Sequence, residues 1–374
     1  MDHPGPARRR RIWPVLVPVM LVIALAVLWT GLWFYAASAA EAAIAGWRER
    51  EAKVGRFYGC QKETIGGYPL RIEVRCSEPR AELRNEQPPL ALKATDLLVV
   101  AQIYQPTLLI GEFIGPLTIA EPGKPPSHVA NWTLAQASVR GTPWAPERVS
   151  IVVDGPTVDR VGEGGNAAVL RAQRIELHGR MAAGSATDNP VIELALRLTS
   201  AAAPELHPLA AQPLDADIVA MLRGLADFAP KPWPARFQEL QARGGRIEIS
   251  KARVQQGDVI AAGAGQLGLT ARGGLDGQLQ ITVVAIEKVL HALDLDRLMS
   301  QGKVGSTIDA LDRIMPGLGN LARQNAAPGI IAGLGAMGQT TTLEGKPAIT
   351  VPLRFADGAI FLGPFQIGRA PPLF

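Results

Sequence analysis

The chain has 374 residues, with 38 Lys and Arg against 34 Asp and Glu, and a formal net charge of +4. Arg8, Arg9, Arg10 and Arg11 carry that excess, so the remainder is close to neutral and lacks the basic patch of a nucleic-acid binder. No nucleic-acid partner is therefore expected, and the 47% hydrophobic content suffices for one large or two ordinary domains.

Residues 1–11 read as a basic cytoplasmic tail and 12–35 as a transmembrane helix. No charged residue occurs from Ile12 to Ala40, and a bilayer core needs about 20 apolar residues. The arginines precede the span and no comparable cluster follows, which directs the rest of the chain outside the cytoplasm. Trp13 near one end, and Trp33 and Tyr35 near the other, suit the two interfaces. The alternative is a signal peptide cleaved at Ala37-Ser38-Ala39, but its apolar region exceeds the usual length of about 7 to 15 residues. Residues 36–55 predict a short helical stalk ending at Gly55.

Cys60 and Cys76 are the two cysteines. In an oxidising compartment they would form a disulfide across a short loop; the alternative is two buried thiols. The five histidines show no metal spacing, and no cofactor is implied.

From 56 to 374 the pattern is that of a β-rich body. In Gly66-Gly67-Tyr68-Pro69-Leu70-Arg71-Ile72-Glu73-Val74-Arg75-Cys76, the residues Leu70, Ile72, Val74 and Cys76 would share one strand face and the charged residues the other. The same alternation recurs at Ile175 and Leu177, along Ile192 to Leu198, and at Ile247, Ile249, Leu267, Leu269, Leu279, Ile281 and Val283. Val351, Leu353 and Phe355 end the series. Clusters such as Glu163-Gly164-Gly165-Asn166 supply turns between the runs.

Helical insertions are expected near 215–243 and 287–338. The first rests on Ile218, Met221, Leu222 and Leu225 within Asp215–Phe228, followed by Pro234–Ala242. The second comprises Glu287–Leu298, Ser306–Ile314 and Ile330–Met337. A short internal echo links the segments beginning at Lys93, Leu134, Arg171 and Lys251, about 41, 37 and 80 residues apart. A repeated multi-strand unit would explain it, and so would chance.

Catalytic motifs do not survive their context. Gly263-Ala264-Gly265-Gln266-Leu267-Gly268 matches a dinucleotide fingerprint, but a strand-like alternation follows where a helix is required. Asp154-Gly155-Pro156 is a turn signal before it is half of a carboxylate pair with Asp159. His178 alternates onto a polar strand face and has no evident partner for proton transfer. The chain is not expected to be an enzyme.

The N-terminal anchor, Gly66 to Ile72 with Cys76, and Asp357-Gly358-Ala359-Ile360-Phe361-Leu362-Gly363-Pro364 before Pro371-Pro372-Leu373-Phe374 resemble the uncharacterised bacterial family known as domain of unknown function 2125. That resemblance covers nearly the whole chain and implies no activity. Gly265 to Leu269 with Leu275 to Ile281 is similar to segments of AsmA-like envelope proteins, which are membrane-anchored and β-rich; the likeness implies a role in the envelope or in phospholipid traffic.

The expectation is thus a mainly β protein with a few helices, an α+β chain whose long curved antiparallel sheet follows one transmembrane helix in a bacterial inner membrane, with a periplasmic body. Its apolar face would either form an open groove for a phospholipid or other acyl-chain ligand or close as an ordinary core. Ile247, Ile249, Leu267, Leu269, Leu279, Ile281 and Val283 are the candidate groove residues. In the closed case the protein would be an assembly scaffold for envelope proteins.

Overall fold

The computed structural model describes residues 13–142, 145–162, 164–206, 208–229, 231–292, 339–362 and 365–374. The basic tail and the helices expected over Ser306–Ile314 and Ile330–Met337 lie outside the described residues.

The first element is one unbroken helix, α1 (Trp13–Lys53). At about 1.5 Å per residue its 41 residues extend roughly 60 Å. The expected span and stalk are one rod, because the alanine-rich sequence after Tyr35 has no proline and only one glycine, Gly46, before Gly55. It is long and apolar enough to cross a membrane.

The chain then forms β1 (Arg56–Gly59), β2 (Lys62–Gly66) and β3 (Arg71–Ser77). Three excursions follow, each leaving the sheet that holds β3, making a hairpin and returning. The first makes β4 (Arg80–Leu83) and β5 (Leu90–Lys93) and returns through β6 (Asp96–Gln102) and β7 (Gln105–Ile114). The second makes β8 (Leu117–Ala120) and β9 (His128–Asn131) before β10 (Leu134–Thr142) and β11 (Ala145–Asp154). The third makes β12 (Thr157–Arg160) and β13 (Ala167–Arg171) before β14 (Arg174–Ser185) and β15 (Asp188–Ala201). Then come β16 (Leu214–Arg223), α2 (Trp233–Ala242), β17 (Arg246–Gln256), β18 (Val259–Leu269), β19 (Leu275–Val284) and α3 (Ile286–Ala292). The last strands are β20 (Gln339–Leu343), β21 (Lys346–Ala356), β22 (Ala359–Leu362) and β23 (Phe365–Arg369).

Among the described residues the strands build two antiparallel sheets, neither of them closed. The hairpins of the excursions join β1 in a seven-stranded sheet, ordered β1-β4-β5-β8-β9-β12-β13. The other sixteen strands form one large sheet from β2 to β23, with β20 paired to β21.

Each excursion leaves at an X-Pro step: Glu78-Pro79, Gly115-Pro116 and Gly155-Pro156. Proline brings no N–H to a ladder, so pairing stops there and the chain can bend. Glu78 and Gly155 take left-handed φ values of 47° and 58° at their corners. The corners are hydrogen-bonded in a line: the Thr95 N–H donates to the Ile114 carbonyl, Thr133 to Asp154, and Gly155 to Gln173, at 3.1, 2.9 and 2.8 Å. The echoed segments at Lys93, Leu134 and Arg171 are the three return points, whereas Lys251 lies inside β17 without a corner.

One expected helix is corrected. Asp215–Phe228 does not form one, because Leu214–Arg223 is the strand β16, laddered to β15 and β17. Ile218 and Leu222 are four residues apart and so fit either period, and pairing on both edges decides for the strand. The helix begins only at Trp233, with proline in its first turn.

Candidate functional site on the apolar face of the large sheet

Residues directly opposite each other in a ladder share a face, so register identifies what lies together. Starting at β2, the pairing links Ile65, Val74, Val99, Gly111, Ala137 and Ile151. It continues through Leu177, Leu196, Ile218, Ala252, Gly263, Ile281 and Val351. This row crosses thirteen strands without one polar side chain. At about 4.8 Å per strand it is roughly 60 Å long. An adjacent row runs from Cys76, Leu97 and Phe113 to Val283 and Ile349, equally apolar. The dry side of the Gly66–Cys76 stretch therefore faces the same way as the distant candidate residues.

From β11 to β17 the other face is held by charge, while at the far end it carries a buried cluster of Ile260, Val284 and Ala348. Arg174 pairs with Asp154 and Glu176, Arg180 with Glu193, and Lys251 with Asp217, at 2.5 to 2.7 Å. His178 reaches the Glu176 carboxylate at 3.3 Å. The hydrogen bond from Arg174, with that of His178, holds the Glu176 carboxyl below its usual range. Such exposed pairs add little stability each, and their consequence is a face that stays in water.

Coverage of the apolar face is uneven. Near its far end Val283, Ile286 and Val351 form a buried cluster against which Ile281, Val289 and Leu362 pack. Val351 is 1% exposed. In the middle the face opens: Ile151 and Leu177, directly paired, are 38% and 39% exposed. Phe113, in the next row, is 40% exposed.

The candidate residues fall toward the end where α2 and α3 pack, although Ile247 is itself 40% exposed. Ile247, Leu267 and Leu269 lie with Leu222 beneath Phe237 and Leu240 of α2 and the C-terminal Leu373, around a cavity of about 50 Å³. Val283 is in the buried cluster and Ile281 packs on it. Ile249 and Leu279 face the same way through Gly265 and are partly buried. The exposed pair on β11 and β14 escapes the sequence reading: its alternation is visible, but which alternating strand remains uncovered depends on register and on where α2 docks. Gly265 belongs to no nucleotide loop. It has φ 153° within β18, where a Cβ would lie 2.2 Å from the Gln278 carbonyl.

An ion network fastens α2 over its end of the face. Arg236 and Lys231 both reach Asp227 and Glu239 at 2.6 to 3.3 Å, and the Ala226 N–H donates to Glu239. Burial acts to raise the Glu239 carboxyl, but the bonds from Lys231 and Ala226 and the Arg236 charge outweigh it, so the pKa is lowered. A lowered carboxylate stabilises the fold above the ordinary carboxylate range and ceases to as pH falls through its folded value. The protection factors of the amides of residues 233–242 are therefore expected to fall as pH drops below the ordinary carboxylate range. Arg236→Met should produce the same loss of protection at neutral pH.

At the start of the β body, the two cysteines form the disulfide Cys60–Cys76, with 5.3 Å between Cα atoms. It ties the β1–β2 connection to β3. Beside it the end of α1 docks: Trp47 stacks on Tyr58 at 4.6 Å, and Arg56 donates to Glu51 at 2.6 Å.

No curated protein matches the chain. A family model matches residues 33–371, the second half of α1 and the whole β body. The chain belongs to that family, described as an uncharacterized protein conserved in bacteria (DUF2125).

Proposed function

We propose that this protein is a single-pass component of the bacterial cell envelope that binds or transfers lipid by laying acyl chains along the open apolar face of its large sheet. The reading places residues 1–11 in the cytoplasm and the β body in the periplasm, with α1 in the inner membrane. The observation that carries it is the exposed pair Ile151 and Leu177 within a thirteen-strand row free of polar side chains. Burying acyl methylenes there yields about 0.8 kcal/mol each, so affinity needs no charged recognition site. The role is non-enzymatic.

Photocrosslinking tests it. Full-length protein in membranes containing a phospholipid with a diazirine in its acyl chain should carry adducts on peptides spanning 134–198. Adducts confined to residues 13–35 would refute lipid binding by the sheet and leave an anchored scaffold with a covered face.

A further inference from the structure

We infer that the tips of the β2–β3 and β6–β7 hairpins insert into the same membrane interface that α1 crosses, as a second point of contact with the bilayer. The observation is a set of bonds between one tip and the helix. The Trp29 indole donates to the Pro69 carbonyl at 2.8 Å, and the Trp33 indole to the Arg71 carbonyl at 2.9 Å. Thr30 and Tyr68 share a hydroxyl bond of 2.9 Å, and the Trp33 and Tyr68 rings meet edge to face.

Depth follows from the helix. Trp13 and Trp33 are separated by about 30 Å at 1.5 Å per residue, the thickness of a hydrocarbon core, so Trp33 stands at the outer interface. Trp29 is one turn deeper, about 6 Å. The tip bonded to it therefore lies below the headgroup level, while Arg71, paired with Glu73 at 2.5 Å, lies at that level.

The composition of the tips fits that depth. No charged residue occurs from Thr64 to Leu70, nor from Leu97 to Gly111. Tyr68, Leu70 and Tyr104 are 54%, 59% and 70% exposed. Side chains of that size left open to water would be costly, whereas aromatic rings favour the membrane interface. The second tip is joined to the first, since the Ile103 N–H donates to the Leu70 carbonyl at 3.2 Å. Between Tyr68 and the helix, a cleft of about 410 Å³ is lined by Leu25, Leu28, Trp29 and Leu32, an apolar recess open to the bilayer. This inference does not depend on lipid binding by the sheet.

Because both native cysteines are paired, a single added cysteine gives one free thiol. Full-length Leu70→Cys and Tyr104→Cys, labelled with an environment-sensitive fluorophore, would be reconstituted in phosphatidylglycerol–phosphatidylethanolamine vesicles containing a spin-labelled phospholipid. Leu28→Cys serves as the reference in the bilayer and Asp258→Cys, in the β17–β18 turn at the opposite ends of the strands from the two tips, as the reference in water. Quenching at 70 and 104 should reach at least half that at 28. Quenching equal to that at 258 in protein that retains its Cys60–Cys76 disulfide would overturn the inference. So would ready alkylation of both positions by a membrane-impermeant maleimide in intact membranes, a measurement that needs no reconstitution.

Discussion

Replacing Val351 with Asp is expected to destabilise the protein by about 4 kcal/mol or more, whereas the same charge at Ile151 should cost under about 1 kcal/mol and still strip acyl chains from the sheet. Both residues are on one row of one face. They differ in what covers them. Val351 is 1% exposed among Val283, Ile286 and Leu362, so a carboxylate there has neither water nor a partner. Ile151 is 38% exposed, and a carboxylate at that site keeps much of its hydration in the empty protein. The charge becomes expensive only when hydrocarbon is laid against it. Urea-gradient proteolysis should show a lowered midpoint for Val351→Asp and an unchanged one for Ile151→Asp. Crosslinking to a diazirine phospholipid should fall about tenfold in Ile151→Asp, with Ser150→Asp, on the opposite face of the same strand, as the control for an added carboxylate. If Ile151→Asp destabilises as strongly as Val351→Asp, the middle of the sheet is core and the lipid reading fails.

Much of the fold is written locally in the chain. Period-two alternation at Ile72 to Cys76, Ile175 to Leu177 and Ile247 to Ile249 identifies strands because each has one wet and one dry face. The X-Pro corners and the echo at Lys93, Leu134 and Arg171 hold the three excursions in outline. What local pattern does not contain is the pairing of distant strands. Asp215 to Arg223 satisfies both periods, and only its ladders to β15 and β17 make it a strand. The candidate site shows the same division. The seven residues chosen from alternation do share a face; α2, Leu373 and α3 pack on that part of it while Ile247 stays 40% exposed, and Leu373 reaches it from more than a hundred residues beyond Ile247, Leu267 and Leu269. Ile151 and Leu177 are exposed to about the same degree as Ile247, and which alternating residues stay open is a property of packing with no local signature.

Loss of the disulfide should show how firmly the β2 edge of the large sheet is built. The Cys60→Ala, Cys76→Ala variant is expected to lose about 3 kcal/mol, the chain-entropy value for a loop of roughly this length. The bond spans 16 residues, and within that loop lie β2, the tip from Gly66 to Leu70 and most of β3. β2 is only five residues long and is the edge strand, so its ladder to β3 is its sole pairing in the large sheet. Short edge strands are marginal without a further tie. Without the disulfide, opening should therefore begin here: amides of residues 62–66 should exchange fastest in the sheet, while those of β18 and β19 keep their protection. The tip would still be held to α1 by Trp29 and Trp33. If those bonds lie in the membrane interface, where water competes weakly, exchange at 62–66 should accelerate more in detergent-solubilised protein than in vesicles. Equal protection with and without the disulfide in both media would mean that the edge is held by its ladder and helix contacts alone.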